Sequence, residues 1–160
     1  MPDLHTFKIL TLRVIDGDTV EVEIDRSWRD RSKKHCRVYG VDCPEKSGNE
    51  KAAGLPVKEV IILLLEKVTN SGLDLYTRSI KKGKYQGRYV GSIFWEKDGV
   101  EHDMSDFLLA HGLAKPYKRG KTPDFNDEEC SKIATLCEII IEDDVDSDIL
   151  DLDGNWGSDS

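Results

Sequence analysis

Two runs of period-two alternation, residues 8–14 and 19–24, flank Asp16-Gly17-Asp18 and most constrain what this chain can fold into. Successive side chains of a strand point to opposite faces, so alternation marks a half-buried strand, and an Asp-Gly pair between two such runs marks a tight turn. The sequence therefore predicts a hairpin near its start. A charged loop is expected over residues 25–33, then a third strand over residues 35–41 that stops at Cys43-Pro44, because proline donates no ladder hydrogen bond. This turn carries Asp42 and Glu45 to a strand end.

Asn49 and Glu50 open a segment in which Ala53, Val57, Val60, Ile61, Leu64 and Leu65 recur at helical spacing, with Pro56 tolerable near the first turn and a stop at Asn70-Ser71-Gly72. Residues 73–77 and 89–95 read as two more strands around a polar segment, residues 78–88. Met104, Phe107, Leu108 and His111 share one helical face closed by Gly112, and residues 125–140 suggest a last helix. The predicted class is α+β and β-rich: a five-stranded OB-type Greek-key barrel with about three helices, over residues 1–142, followed by an acidic, flexible tail at residues 143–160.

Charge is informative only when divided along the chain. The net charge is −8, but residues 1–123 carry +4 and residues 124–160 carry −12. An acidic total argues against a nucleic-acid partner, yet what matters is the charge beside the site, and the body is basic. The tail either competes with phosphates for that surface or only solubilises the chain without touching it. The N-terminus has no basic stretch leading into an apolar one and no apolar run spans a bilayer, so an intracellular, cytoplasmic protein with no membrane contact is expected. Cys36, Cys43, Cys130 and Cys137 lack paired metal spacing and read as free thiols.

Phosphoryl chemistry needs a cation to draw charge from the phosphate, a base for water and rigid donors for the transition-state oxygens. Candidates for these parts gather at the strand ends: Asp16 and Asp18 in the hairpin, Arg37 five residues before Asp42, Glu45 just after, and Arg88 at the last strand. Each has a plainer reading. Asp-Gly is an ordinary turn pair, Arg37 an ordinary exposed strand residue, and Tyr85 and Arg88 members of a solvated basic loop.

Taken in order, the residues Val14-Ile15-Asp16-Gly17-Asp18-Thr19, then Arg37-Val38-Tyr39-Gly40-Val41-Asp42-Cys43-Pro44-Glu45, then Lys84-Tyr85-Gln86-Gly87-Arg88 resemble the three motifs of the staphylococcal nuclease family. Gly112-Leu113-Ala114-Lys115-Pro116-Tyr117 is similar to the segment after that family's second helix, so the resemblance covers about residues 8–120. It implies an OB barrel that binds one Ca²⁺ and hydrolyses DNA and RNA, single strands preferred, leaving 3′-phosphate ends, with no obligate protein partner. By motif position Asp18, Asp42 and the backbone carbonyl of Cys43 would hold the metal, an oxygen-only set that suits calcium, with Asp16 behind them. Glu45 would deprotonate water, Arg37 and Arg88 would grip the phosphate, and Tyr85 and Tyr117 would contact the nucleotide. Repulsion among these aspartates predicts that removing one raises the melting temperature of the metal-free protein slightly. The pattern departs in two places: Cys43 stands where the family commonly has Thr, and Gln86 is inserted into the usual Tyr-Gly-Arg. The alternatives are a noncatalytic strand-binding module and an interaction protein working through its acidic tail and Trp156.

Overall fold

The expected hairpin forms from β1 (Thr6–Asp16) and β2 (Thr19–Asp25), which pair antiparallel with Val14 opposite Val20 and Leu12 opposite Val22. Val20, Val22 and Ile24 are buried inside while Glu21 and Glu23 face out, as the alternation requires. A computed structural model describes residues 5–82, 87–117 and 124–142, so Tyr85 and the acidic tail at 143–160 lie outside the described residues. After β3 (Arg31–Val38) and the short β4 (Val41–Asp42), a 3₁₀ turn (Gly48–Glu50) leads into α1 (Lys51–Asn70). β5 (Tyr76–Lys82), β6 (Arg88–Lys97), β7 (Val100–Asp103), α2 (Met104–Ala110), β8 (Lys115–Pro116) and α3 (Asp127–Glu142) complete the order.

The main sheet runs β3-β2-β1-β5-β6-β7, and a parallel pairing of β3 with β6 closes β1, β2, β3, β6 and β5 into a five-stranded OB-type barrel. In that pairing His35 lies opposite Arg88 and Arg37 opposite Val90. β7 extends the sheet from β6, and β4 with β8 forms a separate two-stranded ribbon, so the described chain has more strands than the five read from sequence. The extra pieces are two to four residues long, too short to show a period.

Three strand boundaries move. The predicted charged loop is half strand: Arg31, Lys33 and His35 stand opposite Asp25, Glu23 and Glu21 on the outer face of the barrel. His35 Nε2 lies 3.1 Å from Glu21 and Arg31 3.5 Å from Glu23, so what reads as loop polarity is a cross-strand charge ladder. The third strand then ends at Val38 rather than residue 41, because Gly40 takes a φ of +86° that breaks the ladder. β5 starts later than expected and continues into the polar segment, whose Arg78 pairs with Glu101 at 3.1 Å across the sheet.

The helices bury the faces that the 3.6-residue period marks. α1 buries Ala53, Val57, Val60, Ile61, Leu64 and Leu65, and stops where Gly72 adopts a φ of +83°. α3 begins after Phe125 rather than at it and packs against α1 through Cys130, Ile133, Cys137 and Ile140. All four cysteines are buried free thiols. No described helix is long and apolar enough to cross a membrane.

Asp103 caps α2 by accepting a hydrogen bond from the Ser105 N–H at 2.6 Å. Burial, and then the neighbouring Asp106 and Glu101, push its carboxyl up to about 6 in spite of that bond. The folded state thus holds the Asp103 proton more tightly than the unfolded chain does, and stability falls as pH rises from about 4 to about 6. Asp103→Asn keeps the cap without the charge. It should melt higher than the parent at pH 7.5, by on the order of 1 kcal/mol, with the advantage vanishing by pH 4 in thermal scans.

Candidate active site at the hairpin end of the barrel

Asp18 joins three pieces of chain. Its Oδ2 accepts the Cys43 N–H at 2.9 Å and pairs with Arg37 Nη1 at 2.9 Å, while its Oδ1 accepts the Thr19 hydroxyl at 3.2 Å. Its backbone carbonyl accepts the Val38 N–H at 2.8 Å. The β1–β2 turn, the end of β3 and the segment after β4 are therefore held at one point. Asp16, two residues earlier, accepts the Lys46 N–H at 3.1 Å and fixes the same segment one step further on.

Arg37 leaves β3 on the outer face and reaches both aspartates, with Nη2 3.6 Å from Asp42 Oδ1, and its guanidinium lies 5.7 Å from the ring centre of Tyr117. Tyr117 is half exposed, and its N–H is held by the Gly40 carbonyl at 3.0 Å. The β4–β8 ribbon sets Lys115 opposite Asp42. Arg37, Tyr39, Lys81 and Tyr117 line an open cavity of about 500 Å³, and Arg37 is its link to the aspartates, which do not line it. Arg88 shares the outer face of the β3–β6 pair with Arg37, one alternation away, and is exposed at a different opening. Glu45 is exposed, with its backbone N–H on Glu50 Oε1 at 2.9 Å and no ion pair among the described residues.

The electrostatics of the acids are lopsided. Burial raises the Asp18 carboxyl above the usual range, although Arg37 and the hydrogen bonds from Cys43 and Thr19 oppose it. Asp42 is raised by its own burial and then by Asp18, with Glu50 adding and Arg37 and Lys115 subtracting. Burial is thus the main reason that the Asp42 carboxyl holds its proton more tightly, and Asp18 adds to it. Burial also pushes the Cys43 thiol well up, so Cys43 stays a neutral thiol. Among the described residues no group of three or more His, Cys, Asp or Glu side chains is gathered as for a metal. The pair that does converge is all oxygen and electron-rich, which fits a hard divalent ion whose other ligands are backbone carbonyls and water.

Two glycines allow the close packing behind the site. A β-carbon at Gly54, in the first turn of α1, would lie 1.8 Å from the Glu45 carbonyl oxygen, and one at Gly17 would lie 2.6 Å from Val57. Gly54 carries no signal in the sequence; Gly17 reads there only as half of a turn pair and Glu50 only as a helix opener, yet Glu50 Oε2 also accepts the Phe125 N–H at 3.2 Å and ties Glu45 to the approach to α3. Glu50 looks like a helix-opening acid, and only folding brings its partners to it. No family model matches the chain, and no curated protein does.

Asp18 is therefore a structural tie as much as a surplus charge. Asp18→Ala leaves the buried Cys43 N–H without its acceptor, and should lower stability by about 1–3 kcal/mol, reversing the expectation from repulsion alone. Denaturant titration without metal measures it. Gly54→Ala should cost a similar amount, since backbone rather than a flexible side chain must shift, and should displace Glu45. Its signature in spectra of the backbone amides would be shifts at residues 45 and 46.

Proposed function

We propose that the chain is a calcium-dependent phosphodiesterase that cleaves DNA and RNA as the staphylococcal nucleases do. The observation that carries the reading is that one arginine, Arg37, reaches two aspartates, Asp18 and Asp42, and itself lines an open cavity with Tyr39, Lys81 and Tyr117. Asp18, Asp42 and the Cys43 carbonyl would hold the calcium ion, which when bound supplies positive charge to the scissile phosphate. Arg37 binds two phosphate oxygens through its planar fork, a geometry lysine does not reproduce. Arg88, on the same face of the β3–β6 pair but lining the other opening, would have to turn toward the phosphate to supply the second cation. Glu45, exposed and free of ion pairs among the described residues, accepts a proton from the attacking water. Tyr117, already against Arg37, offers its ring to the nucleotide.

One observation favours a second reading, a strand-binding module without catalysis: only two acidic side chains converge on Arg37, and none of the described residues adds a third. The two readings part in a single assay. Single-stranded DNA should be cut in calcium and left intact in chelator, giving 3′-phosphate ends, and Asp42→Ala should abolish cutting. Glu45→Gln should retain strand binding while turnover falls roughly 10²- to 10⁴-fold. Binding with no cutting under any calcium concentration would establish the module instead.

A further inference from the structure

The connection between β2 and β3 concentrates positive charge around one aromatic side chain. Residues 26–34 contain five arginines and lysines against one carboxylate, Asp30, in a chain of net charge −8. At the tip Trp28 is 98 % exposed, and Ser27, Trp28 and Arg29 have φ values of +72°, +58° and +63°. Bulky residues rarely adopt this conformation, which costs on the order of 1 kcal/mol at each. The loop is tied: Arg26 N–H donates to the Asp30 carbonyl at 2.9 Å, Asp30 N–H to the Ser27 carbonyl at 2.9 Å, and Ser27 N–H to Asp25 Oδ1 at 2.8 Å. Trp28 is thus presented to solvent by a hydrogen-bonded turn.

The same loop borders a pocket of about 330 Å³ in the barrel mouth, within the size range of small-ligand sites. The inward positions of β3 read Val38, Cys36, Lys34, Ser32 away from the aspartates, so the barrel lining turns polar toward this mouth. Its lining includes three cations, Arg26, Lys34 and Arg88, and no acid. Lys34 makes no ion pair among the described residues. Phe7 and Ile24 supply apolar surface, and Thr77 Oγ1 and the Tyr89 hydroxyl, 2.6 Å apart, supply hydrogen-bonding groups. A cationic rim over apolar and hydroxyl-bearing walls suits a phosphate joined to a flat polar ring.

We propose that this mouth is a second site for single-stranded nucleic acid, apart from the aspartates: the pocket takes one nucleotide, its phosphate on Lys34 and Arg26, and Trp28 stacks an adjacent base. Lys34 is three residues from Arg37 along β3, about 10 Å, and faces into the barrel where Arg37 faces out, so the two places are separate. The site rests on nucleic acid being the partner, as in the proposed function, but not on cleavage.

The test uses the full chain in chelator, where no cutting occurs, titrated with short oligodeoxythymidylate and with thymidine 5′-monophosphate. Indole emission should change with the oligonucleotide, and the change should disappear in Trp28→Phe. Trp28→Ala should weaken oligonucleotide binding roughly 5- to 100-fold. Lys34→Met, which keeps the apolar stem, should reduce the dependence of log affinity on log salt by about 0.7, the release expected for one phosphate contact on a single strand. Monophosphate binding weakened by Lys34→Met would place a whole nucleotide in the pocket, whereas parental affinity and salt dependence in both variants, each melting like the parent, would overturn the site. If these effects appear yet no calcium concentration supports cleavage, the proposed function fails and this site stands. Calcium-dependent cleavage with binding unchanged in both variants removes this site alone.

Discussion

The contact between Asp18 and Arg37, closed by the Cys43 N–H, is what the site end of the molecule depends on. A buried carboxylate is tolerated only when its oxygens are paired and hydrogen-bonded, and all three partners of Asp18 come from different segments. The turn of the first hairpin, the last residues of β3 and the chain beyond β4 are therefore fixed to one another by polar contacts. Apolar packing beneath them, from Val20, Val38, Val41 and Val57, excludes the water that would otherwise compete.

This arrangement leaves a deliberate imbalance at Asp42. Its nearest cations, Arg37 and Lys115, are shared with Asp18 and Glu129, so burial and neighbouring acids keep its carboxyl above the ordinary range. Sites that hold divalent ions or shift protons are built from such incompletely compensated charge, which is why the proposed chemistry is placed here rather than at the outer β2–β3 ladder. In that ladder Glu21 is matched by His35, Arg13 and Lys33, and hydrogen bonds from Arg13 and His35 hold it below the usual range. The same residue types do structural work when exposed and paired, and offer chemistry when half-buried and underpaired.

The barrel also sorts its two ends. Along β3 the inward side chains pass from Val38 and Cys36 to Lys34 and Ser32, and the outward ones from Arg37 through His35 to Arg31. One strand thereby lends an arginine to the aspartates at one end and a lysine to a polar mouth at the other. The parallel pairing with β6 brings Arg88 alongside both, since it lies opposite His35, between the two.

Much of this was legible in the sequence because it is local. Period two gave the hairpin, period 3.6 gave the buried faces of α1 and α2, and Asp18, Arg37 and Asp42 lie near the turns and strand ends that the alternation marks. What periodicity misread were charged strands, since Arg31 and Lys33 look like loop until Glu23 and Glu21 stand across from them. Folding alone decided the closure of β3 on β6, the bridging of Glu45 and Phe125 by Glu50, the need for glycine at position 54, and the raised carboxyls of Asp18 and Asp42. The sequence by itself determined which groups are present and which face of each element they share. Only the tertiary structure decided how deeply they are buried and what lies against them, because burial and through-space charge are set by residues far apart along the chain.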